Sequence, residues 1–262
     1  SIHRAAAVFA HAAATLKCAA QNPRRHCVRT KTALSHAIAS RKYEEKTLRV
    51  NAADVRARLA GTSSESAQVF AEPLAAFLTL LAKWNRVYNL TGFRDPAQLL
   101  DRVVLECLSI SKWLEGTEIA DVGSGAGLPG LPLAITEPDR HFTLIESRAK
   151  RVHFLRHVVG ELGLAHVTVE HSRAEALPAG TAFDTVLARA VAAPPELITI
   201  ARHLTRPGSR VVLLTSPEIG AAYKNLPEDF ELRQLEPAGP RGEYGVVVLL
   251  ERTSVISGTI DT

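Results

Sequence analysis

The 262-residue sequence contains no methionine, three cysteines and few aromatic residues, which are 5% of the chain. Cys18, Cys27 and Cys107 form no CxxC pair and leave an odd count, so neither a disulfide framework nor a cysteine zinc site is expected. The histidines show no metal-ligand spacing, and no metal is assigned. No apolar run is long enough to cross a bilayer, which predicts a soluble protein.

Acidic residues are absent from residues 1–43, which carry eight cations. The remaining residues, 44–262, hold 23 basic and 27 acidic side chains, so the net charge of +4 divides into a +8 segment and a −4 body. We expect residues 1–50 to be a separate basic extension. Its composition fits an organellar transit peptide, a disordered extension or a start site placed too far upstream. Bulk charge therefore gives no support for nucleic-acid binding.

Helical periodicity dominates residues 51–115, which we interpret as a helical lead-in. Apolar residues recur at helical spacing between Phe70 and Tyr88. Asp95 and Pro96 then predict the start of a second helix that ends near Trp113. Trp84 and Tyr88, four residues apart, suit either a core contact or stacking on a base.

Strand-like runs alternate with helical patterns over residues 116–252, and residues 253–262 are read as a tail. This alternation predicts an α/β fold with a mostly parallel seven-stranded sheet and helices on both faces. The last two strands have a short link, so the final strand should be antiparallel. That arrangement is typical of Rossmann-like methyltransferases. The strand runs are Glu118–Val122, His141–Ile145, His166–Val169, Phe183–Leu187, Arg210–Leu214, Glu231–Leu235 and Tyr244–Leu250.

Three alternating glycines follow the first strand in the segment DVGSGAGLPG, residues 121–130. Glycines here allow a tight turn and close approach of a ligand to the backbone. The acid Asp121 suits the cationic groups of S-adenosylmethionine better than a pyrophosphate. Glu146, at the end of the second strand, could accept both ribose hydroxyls of an adenosine. A structural glycine turn, a nicotinamide or flavin site, and a solvated Glu146 beside an N-cap at Ser147 are the alternatives.

Five ordered motifs resemble the glucose-inhibited division protein B family over about residues 74–250. The motifs are KWNRVYNLTGFRDP (83–96), DVGSGAGLPGLPLAI (121–135), FTLIESRAKRVHFLRHV (142–158), HSRAEALP (171–178) and FDTVLARAV (183–191). The resemblance implies a Rossmann-like class I methyltransferase. Its activity would be methyl transfer from S-adenosyl-L-methionine to N7 of a guanine in 16S, small-subunit, rRNA. The implied partners are this rRNA or the assembling 30S subunit, with no membrane partner.

The resemblance also implies that Gly123, Leu128, Ala174, Glu175 and Arg189 contact the cofactor. With Gly125 of the glycine loop and Glu146, these are the predicted cofactor-binding residues. Arg189 at the end of the fourth strand suits a strand-end ion pair as well as a substrate or cofactor contact. It is the candidate positioning residue, and no acid/base pair is assigned.

Candidate RNA contacts are basic residues of one helix and of one loop: Arg173, Arg148, Lys150, Arg151 and Arg156. A solvated helix face is the alternative for the helical ones. The sequence departs from the family at three positions that are usually basic, now Val103, Thr215 and Tyr244. These departures leave two rivals open: a catalytically impaired cofactor-binding ribosome-assembly factor, and a methyltransferase retargeted to another RNA or a small molecule. We expect a cytoplasmic monomer, or an organellar protein if the extension is a transit peptide.

Overall fold

The computed structural model describes residues 50–93, 95–189, 193–239 and 245–254. The predicted extension, the C-terminal tail beyond Ser254 and position Tyr244 lie outside these residues.

The helical lead-in begins at α1 (Ala52–Leu59), which is capped by reciprocal hydrogen bonds between Asn51 and Asp54. A 3₁₀ turn, Glu65–Phe70, leads into α2 (Ala71–Tyr88). Helix α3 (Pro96–Asp101) follows its N-cap Asp95, whose carboxylate accepts the Ala97 N–H at 3.1 Å. The predicted cap is thereby confirmed.

The second predicted helix ends at Trp113 as expected, but it is not one regular α-helix. Beyond α3 the chain winds into a π-helical segment, Arg102–Cys107, and then a 3₁₀ segment, Leu108–Trp113. The sequence periodicity does not distinguish α-, π- and 3₁₀-helix here, because over six residues each type of helix places the apolar side chains on one side. Local π-helical turns are frequent at functional sites.

Seven strands form one sheet in the order β3-β2-β1-β4-β5-β7-β6. The first five are parallel, and β7 is antiparallel to both β5 and β6, which confirms the predicted topology. The strands are β1 (Glu118–Val122), β2 (His141–Ile145), β3 (Val167–Glu170), β4 (Phe183–Arg189), β5 (Thr205–Thr215), β6 (Phe230–Pro237) and β7 (Val246–Arg252).

Helices follow most of the strands: α4 (Gly130–Thr136), α5 (Ala149–Leu162), α6 (Pro194–Leu204) and α7 (Pro217–Ala222). Consecutive residues of β1 and β4 are buried, so both faces of the sheet are covered, as parallel sheets require. One of the two covered faces packs on α6, through Leu197, Ala201 and Leu204.

The lead-in packs on the sheet domain through aromatic rings. The Trp84 ring centroid on α2 lies 5.6 Å from that of Phe154 and 5.3 Å from that of His157, both on α5. Trp84 therefore makes the core contact that the sequence allowed. Tyr88 stacks against Trp84 at 5.2 Å but remains 45% exposed.

The chain reverses its direction across the sheet between β1 and β4. From β1 it proceeds to β2 and β3 on one side, and then returns to place β4 on the other side. Ligands in open α/β sheets bind at such a switch point, outside the carboxyl ends of the strands. The fold alone therefore directs attention to the ends of β1, β2 and β4.

Candidate active site

The loop after β1 is held against the end of β2 by its own backbone. The N–H groups of Gly123 and Ser124 both donate to the Ile145 carbonyl, at 2.9 and 3.1 Å. Gly123, Gly125 and Gly127 adopt φ values of 66°, 57° and 79°, which side chains other than glycine rarely tolerate. The glycines are thus needed for the path of the loop.

Asp121, in β1, is hydrogen-bonded to the residue at which the glycine loop ends and α4 begins. It is 1% exposed, and its Oδ2 accepts the N–H of Gly130, the first residue of α4, at 3.2 Å. Its Oδ1 has no hydrogen-bond partner within the described part of the chain. Burial raises the pKa of this carboxyl to about 7. The contact that the structure shows for Asp121 is therefore with the start of α4.

Glu146 lies directly beyond β2 and faces the glycine loop. It is 4% exposed; its Oε2 accepts the Gly125 N–H at 3.0 Å and its Oε1 accepts the Arg148 N–H at 2.8 Å. The Arg151 guanidinium lies 3.4 Å from Oε2. The interpretation of Ser147 as an N-cap was wrong: the N-cap of α5 is Arg148, whose N–H donates to the Glu146 carboxylate, and among the residues that the structure describes no side chain caps the helix.

A cleft of about 550 Å³ opens between the glycine loop, the start of α5 and the loop before α3. This volume is within the range of small-molecule sites. The structure brings most of the predicted site residues to its wall: Gly123, Gly125, Leu128, Glu146, Arg148, Arg151, Arg173 and Arg189.

A smaller recess of about 100 Å³ adjoins the cleft and shares Gly123, Glu146 and Arg173 with it. The two predicted residues Ala174 and Glu175 line this recess. Its remaining lining is apolar at Val122, Ile145 and Ile200 and polar at Ser147, Ser172 and Glu196. A recess of this mixed character can take a heteroaromatic ring, which has apolar faces and polar edge atoms.

Two predicted RNA contacts lie away from the cleft wall. Lys150 is exposed on α5, and the Arg156 guanidinium donates to the Val169 carbonyl at 3.3 Å. The buried residues of α5 are Val152, Phe154, Leu155 and Val158. Two of the departures from the family pattern are visible: Val103 is fully buried, and Thr215 ends β5.

Arg189, the last residue of β4, forms the strand-end ion pair that was one of its two interpretations: its guanidinium lies 3.6 Å from the Glu106 carboxylate. Arg189 also lines the cleft, and its contact with substrate or cofactor stays a prediction. Glu106 was not singled out in the sequence, because no local spacing connects it to a strand end 83 positions later. The pairing of Glu106 with Arg189 is therefore evident only from the tertiary structure.

The loop Thr91–Phe93 was also missed as a site element, although it lies within a quoted motif. Thr91, Gly92 and Phe93 line the cleft. The buried amide of Asn85 on α2 fixes this loop, since Nδ2 donates to the Phe93 carbonyl at 2.7 Å and Oδ1 accepts the Thr91 N–H at 2.8 Å. The lead-in helices therefore form part of the site.

The cleft fits S-adenosylmethionine on the chemistry of its donors and acceptors. A carboxylate offers about four acceptor positions, and those of Glu146 are not filled by its two main-chain partners and Arg151. Arginines along the wall can meet a carboxylate group. Among the described residues, no group of three or more His, Cys, Asp or Glu side chains is placed to hold a metal ion.

The sheet order, the antiparallel β7 and a glycine loop facing an acid at the end of β2 define a Rossmann-like, S-adenosylmethionine-dependent methyltransferase. Residues 71–238 match the model of the GidB family, described as rRNA small subunit methyltransferase G. The chain belongs to this family.

Relatives named "Ribosomal RNA small subunit methyltransferase G" align with about two thirds of the chain. The protein from Salmonella agona is 42% identical over 163 residues, which are 62% of this chain and 79% of the relative. Those from Escherichia fergusonii and Klebsiella pneumoniae are 40% and 41% identical over 179 residues, which are 67% of this chain and 86% of each relative. No helix in the described ranges is long and apolar enough to span a membrane.

Proposed function

We propose that this chain transfers a methyl group from S-adenosyl-L-methionine to N7 of a guanine in 16S rRNA of the small ribosomal subunit. The observation that carries the proposal is the cleft at the ends of β1, β2 and β4. It combines a glycine loop, a buried carboxylate and four arginines in a chain of the small-subunit rRNA methyltransferase family.

The cofactor would be held by the residues around Glu146. Glu146 would accept the ribose hydroxyls, while the backbone of Gly123 and Gly125 and the side chain of Leu128 line the floor. Ala174 and Glu175 would border the adenine in the adjoining recess. When bound, the cofactor supplies an electrophilic methyl group on a cationic sulfur.

Guanine N7 has an in-plane lone pair and no proton, so the protein need supply no general base. The work left to its residues is to place the base in line with the methyl group and to keep it there. Arg189 suits this positioning role, because its guanidinium is held at the wall of the cleft by Glu106. The methylated guanine is cationic, so Arg189 would contact phosphate or cofactor carboxylate and not the new charge.

The local charge of the cleft favours an RNA substrate. Arg148, Arg151 and Arg173 lie at its wall with Arg189, and among the described lining residues Glu146 is the one that carries a carboxylate. Phosphate contacts of this kind fix the register of a nucleic acid and make its binding depend on salt. Lys150 and Arg156 would extend the same contacts along α5, outside the cleft.

Borohydride reduction followed by aniline cleavage tests the proposal, because it cuts RNA at N7-methylguanine. We expect cleavage of 16S rRNA from cells that contain the gene, and loss of one cleavage site when the gene is deleted. Unchanged cleavage would refute the proposal. Purified protein incubated with labelled cofactor and small-subunit rRNA then separates the rivals.

Methyl incorporation into another RNA or a small molecule would show a retargeted methyltransferase. Binding of rRNA and cofactor without incorporation would show an assembly factor that has lost activity. The basic residues missing at Val103 and Thr215 are the reason to run both arms, since neither position supplies a cation.

We further propose that the chain acts as a cytoplasmic monomer, with the lead-in (51–115) and the methyltransferase domain (116–252) working as one enzyme. Light scattering of the purified protein tests the first part. N-terminal sequencing of the protein from its native source tests whether the extension 1–50 is retained.

A further inference from the structure

Glu106 is a buried carboxylate that two arginines share. It lies in the π-helical segment Arg102–Cys107 and its side chain is 4% exposed. Its Oε2 lies 3.0 Å from the Arg102 guanidinium and 3.6 Å from that of Arg189. One carboxylate oxygen therefore connects the lead-in helices to the end of β4.

The Arg102 side of this arrangement is fixed by a second contact. The Arg102 guanidinium lies over the Phe93 ring, 4.9 Å from its centroid, and Phe93 lines the cleft. A cation over an aromatic face is attracted by the ring. The carboxylate of Glu106 thus has a partner whose own position is restrained, and it is not free to follow Arg189 outward.

The Arg189 side faces the cleft. Its side chain is 23% exposed, and a long, flexible guanidinium with this access to solvent would otherwise sample several rotamers. An ion pair to a buried, restrained carboxylate selects the rotamers that keep the guanidinium at the cleft wall. Since placement of reacting groups dominates this chemistry, a residue that fixes Arg189 should affect the rate.

We infer that Glu106 is a positioning residue that acts through Arg189: it holds the guanidinium at the cleft wall, where Arg189 contacts substrate or cofactor. This inference rests on the proposed function. Glu106 itself need not touch either ligand. A purely structural Glu106 would instead stabilise the fold without any particular dependence on Arg189.

A double-mutant cycle with Glu106→Gln and Arg189→Ala tests the inference on the full chain. The readouts are kcat and KM for methylation of small-subunit rRNA and the affinity for S-adenosylhomocysteine by calorimetry. We expect Glu106→Gln to lower kcat/KM on the order of tenfold to a hundredfold. In the Arg189→Ala background the same substitution should cost little more, which is a coupling on the order of tenfold to a hundredfold. Glu106→Asp, which keeps the charge, should restore much of the loss.

Asp229 offers a matched control, because it is also a buried carboxylate shared by two arginines, Arg202 and Arg252. It lies at the start of β6, at the far edge of the sheet from the cleft. Asp229→Asn should lower the melting temperature as Glu106→Gln does, but leave kcat, KM and S-adenosylhomocysteine affinity unchanged. Equal kinetic losses in both variants would overturn the inference.

Two further outcomes are decisive. Equal losses from Glu106→Gln with and without Arg189, or wild-type kinetics and affinity in Arg189→Ala, would overturn the positioning role. If the wild-type chain binds S-adenosylhomocysteine but methylates no rRNA, the proposed function fails. The coupling between Glu106 and Arg189 in the binding measurement then still decides the positioning role separately.

Discussion

Replacing Asn85 by alanine tests whether α2 fixes the cleft through the loop that follows it. Asn85 is 7% exposed, and its amide makes two hydrogen bonds to main-chain groups of this loop, the Thr91 N–H and the Phe93 carbonyl. Alanine removes both partners at once. It adds no bulk and keeps the helix propensity high, so the loss is confined to these two bonds.

The size of the effect follows from these two bonds. A fully buried main-chain group that loses its partner costs about 1–3 kcal/mol, and these two bonds are part-buried. With about 1–2 kcal/mol for each, Asn85→Ala should lower the free energy of unfolding by about 2–4 kcal/mol. For a chain of this size the melting temperature should fall by roughly 4–16 °C. The affinity for S-adenosylhomocysteine should fall as well, because Thr91 and Phe93 line the cleft.

Urea and thermal unfolding, followed by circular dichroism, measure the first effect, and calorimetry measures the second. Asn85→Asp keeps the acceptor for Thr91 but puts a carboxylate oxygen where the donor to the Phe93 carbonyl stood, so at neutral pH it should be no more stable than alanine. Thr79→Ala is the control on the same helix, since Thr79 is exposed and bonds only locally, to the Ala75 carbonyl. It should stay within about 0.5 kcal/mol of the wild type. Wild-type stability and affinity in Asn85→Ala would refute the reasoning.

Three other predictions concern the sheet side of the cleft. Gly130→Ala should lower the free energy of unfolding in urea by about 1–3 kcal/mol, because the new Cβ would lie 2.6 Å from Asp121 Oδ2. The control Gly160→Ala, which has open space around it in α5, should raise the free energy of unfolding by about 0.5–1 kcal/mol. Glu146→Gln should weaken S-adenosylhomocysteine binding in calorimetry by about tenfold or more. The control Glu161→Gln, at an exposed position, should leave the affinity unchanged. Equal affinities of Glu146→Gln and the wild type would contradict the role of Glu146 in binding the ribose. Burial raises the pKa of Asp121 from 3.8 to about 7, so the fold favours the neutral carboxyl and loses stability as the pH rises from about 4 to 7. Asp121→Asn should remove this slope, roughly 4 kcal/mol across the window, and an unchanged pH profile of unfolding would exclude the effect.

Local patterns were sufficient for the sheet and for the glycine loop. The bounds of β1 and β2 match the predicted runs because both strands are mostly buried and lie between segments that contain glycine, proline or charged residues. The start of β5 was missed by five residues: Thr205 pairs with Phe183 across an irregular register, and the intervening Arg206–Ser209 segment has the composition of a turn. Pairing with a neighbour, and not local propensity, extends that strand.

Charge counting was informative only after it was divided by position. The arginines that line the cleft come from α5 and its cap, from the loop after β3 and from the end of β4. Three of the five predicted RNA contacts meet there, and two do not. The sequence identified the helix and the loop that carry these arginines. Which side chains of α5 face the cleft depends on the orientation of the helix, which buries Phe154 and Val158.

The sequence by itself determined the fold class, the glycine loop, the acid after β2 and the family, because each is encoded in short, ordered segments. Only the tertiary structure decided that Glu106 holds Arg189 and that the Thr91–Phe93 loop, fixed by Asn85, closes one side of the cleft. The Glu106–Arg189 pair joins segments 83 positions apart, and the Thr91–Phe93 loop meets the glycine loop of residues 123–128 in the cleft wall. Their energies depend on burial and distance, which no spacing along the sequence expresses.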